Sequence, residues 1–225
     1  WGKFVNAGQT CIAPDYILVQ GKEKFNFVEL LKREIVKAYG ENPEESKDFA
    51  RIINNKNWRR LTAMIEPSKV IFGGVTNEND LFISPTLIDE PSLTSEVMKD
   101  EIFGPILPII SYHDETDLKK IISTYEKPLA LYVFSNDKNF AERMIINFSF
   151  GGGCVNDCMI HFANKRLPFG GVGFSGLGAY HGKLGFDTFS HQKSMVKKPN
   201  WGDNNLRYAP YKNKLKYLKK ILSWL

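Results

Sequence analysis

Short apolar runs alternate with amphipathic helical stretches along most of this 225-residue chain, and that alternation restricts its fold more than any other feature. Strand, helix and strand in succession form the unit from which parallel sheets are built. Tyr16-Ile17-Leu18-Val19 reads as a short strand. From Phe25 to Ala38 the apolar residues Phe25, Val28, Leu31, Ile35 and Ala38 recur every three or four positions, the mark of a helix with one apolar face. A second helix, Trp58 to Ile65, is expected to stop at Glu66-Pro67, because a residue before proline avoids the helical region. Val70-Ile71-Phe72 then runs as a strand into a Gly73-Gly74 turn, and Ile106 to Ser111 is another strand. Asp114 is placed to cap a helix reaching Ile122. Leu129 to Phe134 is almost wholly apolar, which predicts a strand buried on both faces. A helix over Asp137–Phe148 and an extended segment over Gly153–Asn156 follow. The expected fold is α/β, with a largely parallel sheet.

A chain of this length can bury one substantial core. Its 43% hydrophobic and 24% charged residues are those of a soluble protein, and no run approaches the roughly 18 apolar residues of a membrane span. The net charge of +5 is unevenly placed. From Lys193 onward, nine Lys and Arg face one acid, Asp203, so the preceding body is mildly acidic. That distribution argues against a nucleic-acid groove. Trp1-Gly2-Lys3-Phe4 lacks the layout of a signal peptide, and three cysteines do not form a disulfide framework. A reducing cytoplasm is the expected compartment.

Cys11 is the first candidate for chemistry. It follows the small and polar stretch Asn6-Ala7-Gly8-Gln9-Thr10. A partly exposed thiol becomes a nucleophile where its thiolate is favoured, although most free cysteines are small buried hydrophobes. Local sequence alone leaves both readings open.

Wider motifs narrow them. Asn6-Ala7-Gly8-Gln9-Thr10-Cys11 resembles the nucleophile motif of the aldehyde dehydrogenase superfamily. Glu101-Ile102-Phe103-Gly104-Pro105 is similar to its second motif, and Pro168-Phe169-Gly170-Gly171 with Ser175-Gly176 and Gly178 to its third. Trp1-Gly2-Lys3, Ala13-Pro14-Asp15-Tyr16, Lys127-Pro128-Leu129-Ala130-Leu131-Tyr132 and Gly178-Ala179-Tyr180-His181-Gly182-Lys183 resemble the class 3, fatty-aldehyde-type branch.

The resemblance implies a three-layer catalytic domain over residues 1–200, with an extended oligomerisation arm at about 150–169, a basic helical tail over 201–225, and no N-terminal cofactor-binding domain. It implies NAD(P)-dependent oxidation of aldehydes to carboxylic acids through a thiohemiacetal and a thioester on Cys11. Glu101 would hydrogen-bond the nicotinamide ribose, Phe103 would lie near the nicotinamide, and Trp1 and Phe162 would line the substrate pocket. The family's general base, its oxyanion-hole asparagine and most of its NAD or NADP site belong to a segment outside this sequence. The 225 residues alone are therefore expected to be inactive. A homodimer is the assembly implied.

Four other signals bear on function. Gly171-Val172-Gly173-Phe174-Ser175-Gly176 spells a dinucleotide fingerprint, but it lacks a strand before it and an acid after it. These glycines are instead expected to allow tight loop turns near the active-site floor. Cys154, Cys158 and His161 have partial zinc spacing without a fourth ligand, so no metal is expected. A Cys-His hydrolase would need one of His113, His161, His181 or His191 beside Cys11, and none lies in a recognisable hydrolase motif. In the tail, Leu215, Leu218, Leu222 and Leu225 oppose Lys212, Lys216, Lys219 and Lys220, with Trp224 near the end. This basic amphipathic helix suits packing on its own body, peripheral membrane contact, or a role as an interaction module in a non-enzymatic subunit.

Overall fold

A computed structural model describes residues 1–223 of the chain, which divides into two units, Trp1–Phe189 and Ser190–Leu225. The first begins with strand β1 (Ile17–Gln20), helix α1 (Gly21–Tyr39), helix α2 (Asn55–Ala63) and strand β2 (Val70–Phe72). Next come a small hairpin of β3 (Thr76–Asn77) and β4 (Phe82–Ile83), strand β5 (Thr86–Asp89), the short helix α3 (Glu96–Lys99) and strand β6 (Ile106–Tyr112). Helix α4 (Glu115–Ser123), strand β7 (Ala130–Val133), helix α5 (Lys138–Asn147), strand β8 (Gly152–Val155), and helices α6 (Ile160–Ala163) and α7 (Gly182–Thr188) complete it.

The main sheet has the order β1-β6-β5-β2. β6 pairs parallel with both β1 and β5, while β2 joins β5 antiparallel, so the sheet is largely parallel. Side chains alternate between faces along a strand. Ile106 and Ile110 on one face of β6 and Leu107 and Ile109 on the other are all buried. The sheet is therefore covered on both sides, as a three-layer α/β fold requires. From α1, Val28 and Ile35 enter the main core, and from α2 Leu61 does. Each fully buried aliphatic side chain of this kind contributes roughly 1.5–3 kcal/mol of transfer free energy.

Local chemistry sets the helix ends. The Asp114 carboxylate accepts the N–H groups of Thr116 and Asp117 at the start of α4, and Asp137 accepts that of Asn139 at the start of α5. Gly40 closes α1 with a φ of 79°, a value that costs glycine little.

One segment, Leu129–Phe134, differs from its sequence expectation. Only Val133 of β7 is buried, and Phe134 is 66% exposed. β7 pairs with β8 alone, so one edge has no strand beside it among the described residues. The glycine-rich stretch Gly170–Gly185 holds a 3-10 turn at Gly173–Ser175 and the start of α7, and a bridge joins Phe169 to Tyr180. The extended segment expected over Gly153–Asn156 is β8, in register with β7 of the same chain.

In the second unit, Asp203 organises the approach to the last helix. Its carboxylate accepts the Tyr208 hydroxyl at 2.6 Å and pairs with Lys198 and Arg207. Helix α8 (Leu215–Leu222) follows, with Leu215, Ile221 and Leu222 exposed. Trp224 and Leu225 lie outside the described residues.

Candidate active site

Cys11 stands at the end of a loop with unusual backbone geometry. Asn6, Ala7 and Gly8 have φ of 52°, 51° and 73° in succession. Non-glycine residues held there cost of order 1–3 kcal/mol each and persist only where their surroundings fix them. Gln9 does much of that fixing. Its side-chain N–H groups donate to the carbonyls of Asn6 (3.1 Å) and Arg51 (3.0 Å), and its Oε1 accepts the Ile53 N–H at 2.9 Å. Ala7 is fully buried beneath the loop, and the Asn6 side chain donates to the Gln9 carbonyl. Beyond the loop Cys11 is exposed, and Ile12 turns back into the interior. The Tyr132 hydroxyl donates to the Ile12 carbonyl at 2.8 Å. Among the described residues, no protein acceptor takes the Cys11 backbone N–H.

The segment Glu101–Gly104 packs directly on this loop. A Cβ on Gly8 would lie 2.2 Å from the Gly104 carbonyl oxygen, so the two backbones approach as only glycine permits. Ile102 is buried, Glu101 and Phe103 are exposed, and Phe103 has a φ of 50°. Arg60 of α2 donates to the carbonyls of Ile102 (2.7 Å) and Glu101 (3.4 Å). On the other side, Asp15 Oδ1 accepts the Ile102 N–H at 3.0 Å. The sequence brings Cys11, Glu101 and Phe103 into one region, across a separation of about ninety residues.

Four charged groups converge behind them. The Lys3 side chain is only 5% exposed, and its Nζ lies 4.0 Å from Asp15 Oδ1. Burial pushes the Lys3 ammonium down to about 8, against the opposing pull of Asp15 and Glu101. Burial also raises the Asp15 carboxyl, offset by Lys3, the Ile102 N–H and Arg60. Glu101 is raised by partial desolvation and then by Asp15, with Lys3 and Arg60 acting the other way.

Trp1 and Phe162 are less closely joined to this region. Trp1 is 72% exposed, and its carbonyl accepts the N–H groups of Phe4 and Val5. Phe162 meets Phe169 edge-on at 4.9 Å and lies 5.6 Å from the His181 ring. Gly2 packs on Cys158, whose thiol is raised by burial and by Asp157. The histidine ring hydrogen bonds go elsewhere than Cys11: His161 Nδ1 lies 3.5 Å from Cys154 Sγ, and His181 Nδ1 lies 3.0 Å from the Leu167 carbonyl.

Lys3, Asp15, Arg60, Gln9 and Tyr132 were not singled out from the sequence. Lys3, Asp15 and Tyr132 lie inside the class 3-like segments, which was the available signal. Arg60 gave none, because a cation on a surface helix is ordinary.

The model of the aldehyde dehydrogenase family matches residues 1–195. The 4,4'-diaponeurosporen-aldehyde dehydrogenase of Staphylococcus aureus (strain NCTC 8325 / PS 47) is 46% identical over 221 residues, covering 97% of this chain and 48% of that protein. Aldehyde dehydrogenase family 3 member A2 of Rattus norvegicus is 47% identical over 212 residues, covering 93% of this chain and 44% of that protein. A solved structure of the substrate-bound state of Staphylococcus aureus AldH superposes with a TM-score of 0.90 at 45% identity, covering 98% of this chain and 49% of that one. The chain spans about half the length of the curated relatives it matches. It belongs to the aldehyde dehydrogenase family, on the class 3 branch.

Proposed function

We propose that this chain carries the catalytic cysteine of an enzyme that oxidises aldehydes to carboxylic acids with NAD or NADP, and that Cys11 is the nucleophile. The observation carrying this reading is the exposed Cys11 thiol, on a loop locked to the Glu101 segment through Gly8 and Gly104. Cys11 Sγ adds to the aldehyde carbon, forming a C–S bond and a thiohemiacetal. Its own backbone N–H, free of protein acceptors, is available to the oxygen on which negative charge develops. Such donors contribute roughly 3–4 kcal/mol to acyl chemistry. A nicotinamide held beside Glu101 and Phe103 would supply the hydride acceptor, and loss of hydride from the thiohemiacetal carbon would leave Cys11 as a thioester. Water then cleaves that thioester, releasing the acid and the free thiol.

The exposed residues suit the nicotinamide end of a cofactor. The Glu101 carboxylate can accept two ribose hydroxyls, and the Phe103 ring, 39% exposed beside it, offers an apolar surface. Trp1 and Phe162 are proposed to line the aldehyde's path. The general base and the dinucleotide phosphate site are assigned to the half of the relatives' length that this chain does not span.

The test is aldehyde-dependent NAD(P) reduction by the complete enzyme, with and without Cys11→Ala. Loss of turnover by about a thousandfold or more is expected. Substantial retained activity would overturn the reading.

The assembly is proposed to be a homodimer in the cytoplasm, on the family resemblance, and sedimentation of the purified protein checks the first point. Peripheral membrane association through the tail is proposed from α8, where Leu215, Ile221 and Leu222 are exposed alongside Lys216, Lys219 and Lys220. Co-sedimentation with anionic vesicles should weaken when residues 208–225 are removed, and equal binding by both forms would dispose of it.

A further inference from the structure

We infer that Lys3 is a positioning residue for the cofactor: its buried ammonium anchors Asp15, and Asp15 fixes the backbone from which Glu101 reaches toward the ribose hydroxyls. The inference rests on the proposed reading of Glu101 as a ribose-facing carboxylate. The connection runs from Lys3 Nζ to Asp15 Oδ1 over 4.0 Å, and from that same oxygen to the Ile102 N–H over 3.0 Å. Arg60 holds the carbonyls of Ile102 and Glu101 on the opposite side. Glu101 thus leaves a backbone gripped at one amide and two carbonyls, while its side chain stays exposed.

The cation is the telling part. A buried charge is costly unless it is paired, and an apolar side chain of similar volume could fill the space behind the loop. Two cations, Lys3 and Arg60, instead meet two carboxylates, Asp15 and Glu101, and balance them. Removing Lys3 would leave Asp15 and Glu101 facing each other with Arg60 alone. Repulsion would then favour protonation of one carboxyl, or rotation of Glu101 away from Asp15. A protonated or turned-away Glu101 is a poorer acceptor for a diol.

The groups acting on the Lys3 ammonium are Asp15 and Glu101, and both favour its charge, whereas burial brings it down to about 8. The anchor therefore weakens as the pH rises through about 8. The KM for NAD should climb above that pH while kcat changes little.

The experiment compares the complete enzyme with its Lys3→Met and Lys3→Arg variants, by steady-state kinetics with NAD varied from pH 6.5 to about 9.5. Equilibrium binding of NAD without aldehyde, followed by tryptophan fluorescence, gives a readout independent of turnover. Lys3→Met is expected to raise both the KM and the Kd for NAD about tenfold, with kcat changed less than about threefold and the rise above pH 8 abolished. Lys3→Arg should restore binding to within about threefold and keep it flat to high pH, since a guanidinium does not titrate there. A folded Lys3→Met variant with wild-type KM, Kd and pH profile overturns the inference. Should Lys3→Met not fold, Asp15→Ala is the second variant: it removes the acceptor of the Ile102 N–H, and unchanged NAD binding by it is equally fatal. A wild-type enzyme without aldehyde-dependent NAD reduction sinks the proposed function and this inference together. An active wild type with indifferent variants sinks only the inference.

Discussion

Gly8 and Gly104 meet backbone to backbone, and a methyl group on Gly8 would lie 2.2 Å from the Gly104 carbonyl oxygen and 3.0 Å from that of Lys3. The contact joins the segment bearing Cys11 to the segment bearing Glu101. Gly104 is itself pressed against Leu61 of α2, where an added Cβ would come within 2.4 Å of the leucine side chain. The turn is thus held between the loop and a helix: Gly8 cannot be enlarged without moving main chain, and enlarging Gly104 would displace the buried Leu61 side chain.

Gly8→Ala should accordingly destabilise the protein by about 3 kcal/mol or more, because left-handed strain and a backbone clash act together. Gly40→Ala separates the two effects. Gly40 has a similar φ of 79°, but an added Cβ would meet nothing within 4 Å. That substitution should cost about 1–3 kcal/mol from backbone strain alone, since φ 79° with ψ 176° is a conformation essentially confined to glycine. Urea denaturation of both variants checks the difference, and equal losses would mean that the Gly8–Gly104 approach contributes little.

The three thiols should alkylate in a defined order. Cys11 is exposed, whereas Cys154 and Cys158 are half-buried and the Cys158 thiol is raised by burial. A thiolate is the reacting species, so access favours Cys11 and the raised thiol slows Cys158. Brief treatment of the native chain with iodoacetamide, followed by peptide mass spectrometry, should find Cys11 modified first. Faster labelling of Cys158 would contradict the described burial.

Much of this molecule can be read from residue order, and what cannot is instructive. Asp114 and Asp137 announce their helices because a cap is a local bond between a side chain and an amide two or three residues on. The periodic Val28 and Ile35 identify the buried face of α1 for the same local reason. β5 was missed because Thr86 and Asp89 are polar ends on a four-residue strand and Pro85 precedes it. α7 was hidden by Gly182 and Gly185, residues of poor helix propensity. The Cys11 and Glu101 segments were recognisable as motifs, but their contact at Gly8 and Gly104 was not. The Asp15–Ile102 hydrogen bond spans 87 positions, and nothing in either residue's neighbourhood points to the other. Long-range polar pairing has no periodicity to betray it.

The 225 residues by themselves should give no measurable NAD(P)-dependent aldehyde oxidation. Among the described residues no histidine is hydrogen-bonded to Cys11, and Glu101 is assigned to the ribose rather than to proton transfer. An activated water for thioester release therefore has no source in the proposed site. Turnover at rates typical of the family by this chain alone would show that another residue here serves as the base.

Lys3 should also leave a mark on folding stability. Its folded-state value of about 8 lies below the ordinary 10.5. Between those values the unfolded chain binds a proton that the folded chain does not, so stability should rise with pH across that window. Groups whose hold on the proton is raised in the folded state oppose this: the Cys158 thiol from about pH 9, and Tyr16, at about 12, from about pH 10. Both are common to the wild type and Lys3→Met, so the difference between the two proteins from pH 8 to 10 isolates Lys3. Over that range the wild type should gain roughly 1–2 kcal/mol on Lys3→Met, part of an upper bound of about 3 kcal/mol for the whole shift. Urea midpoints measured at half-unit intervals read this directly. Parallel pH profiles for the two proteins would mean that Lys3 keeps its ordinary affinity for the proton, and that the space behind the Cys11 loop is better hydrated than the 5% exposure of its side chain implies.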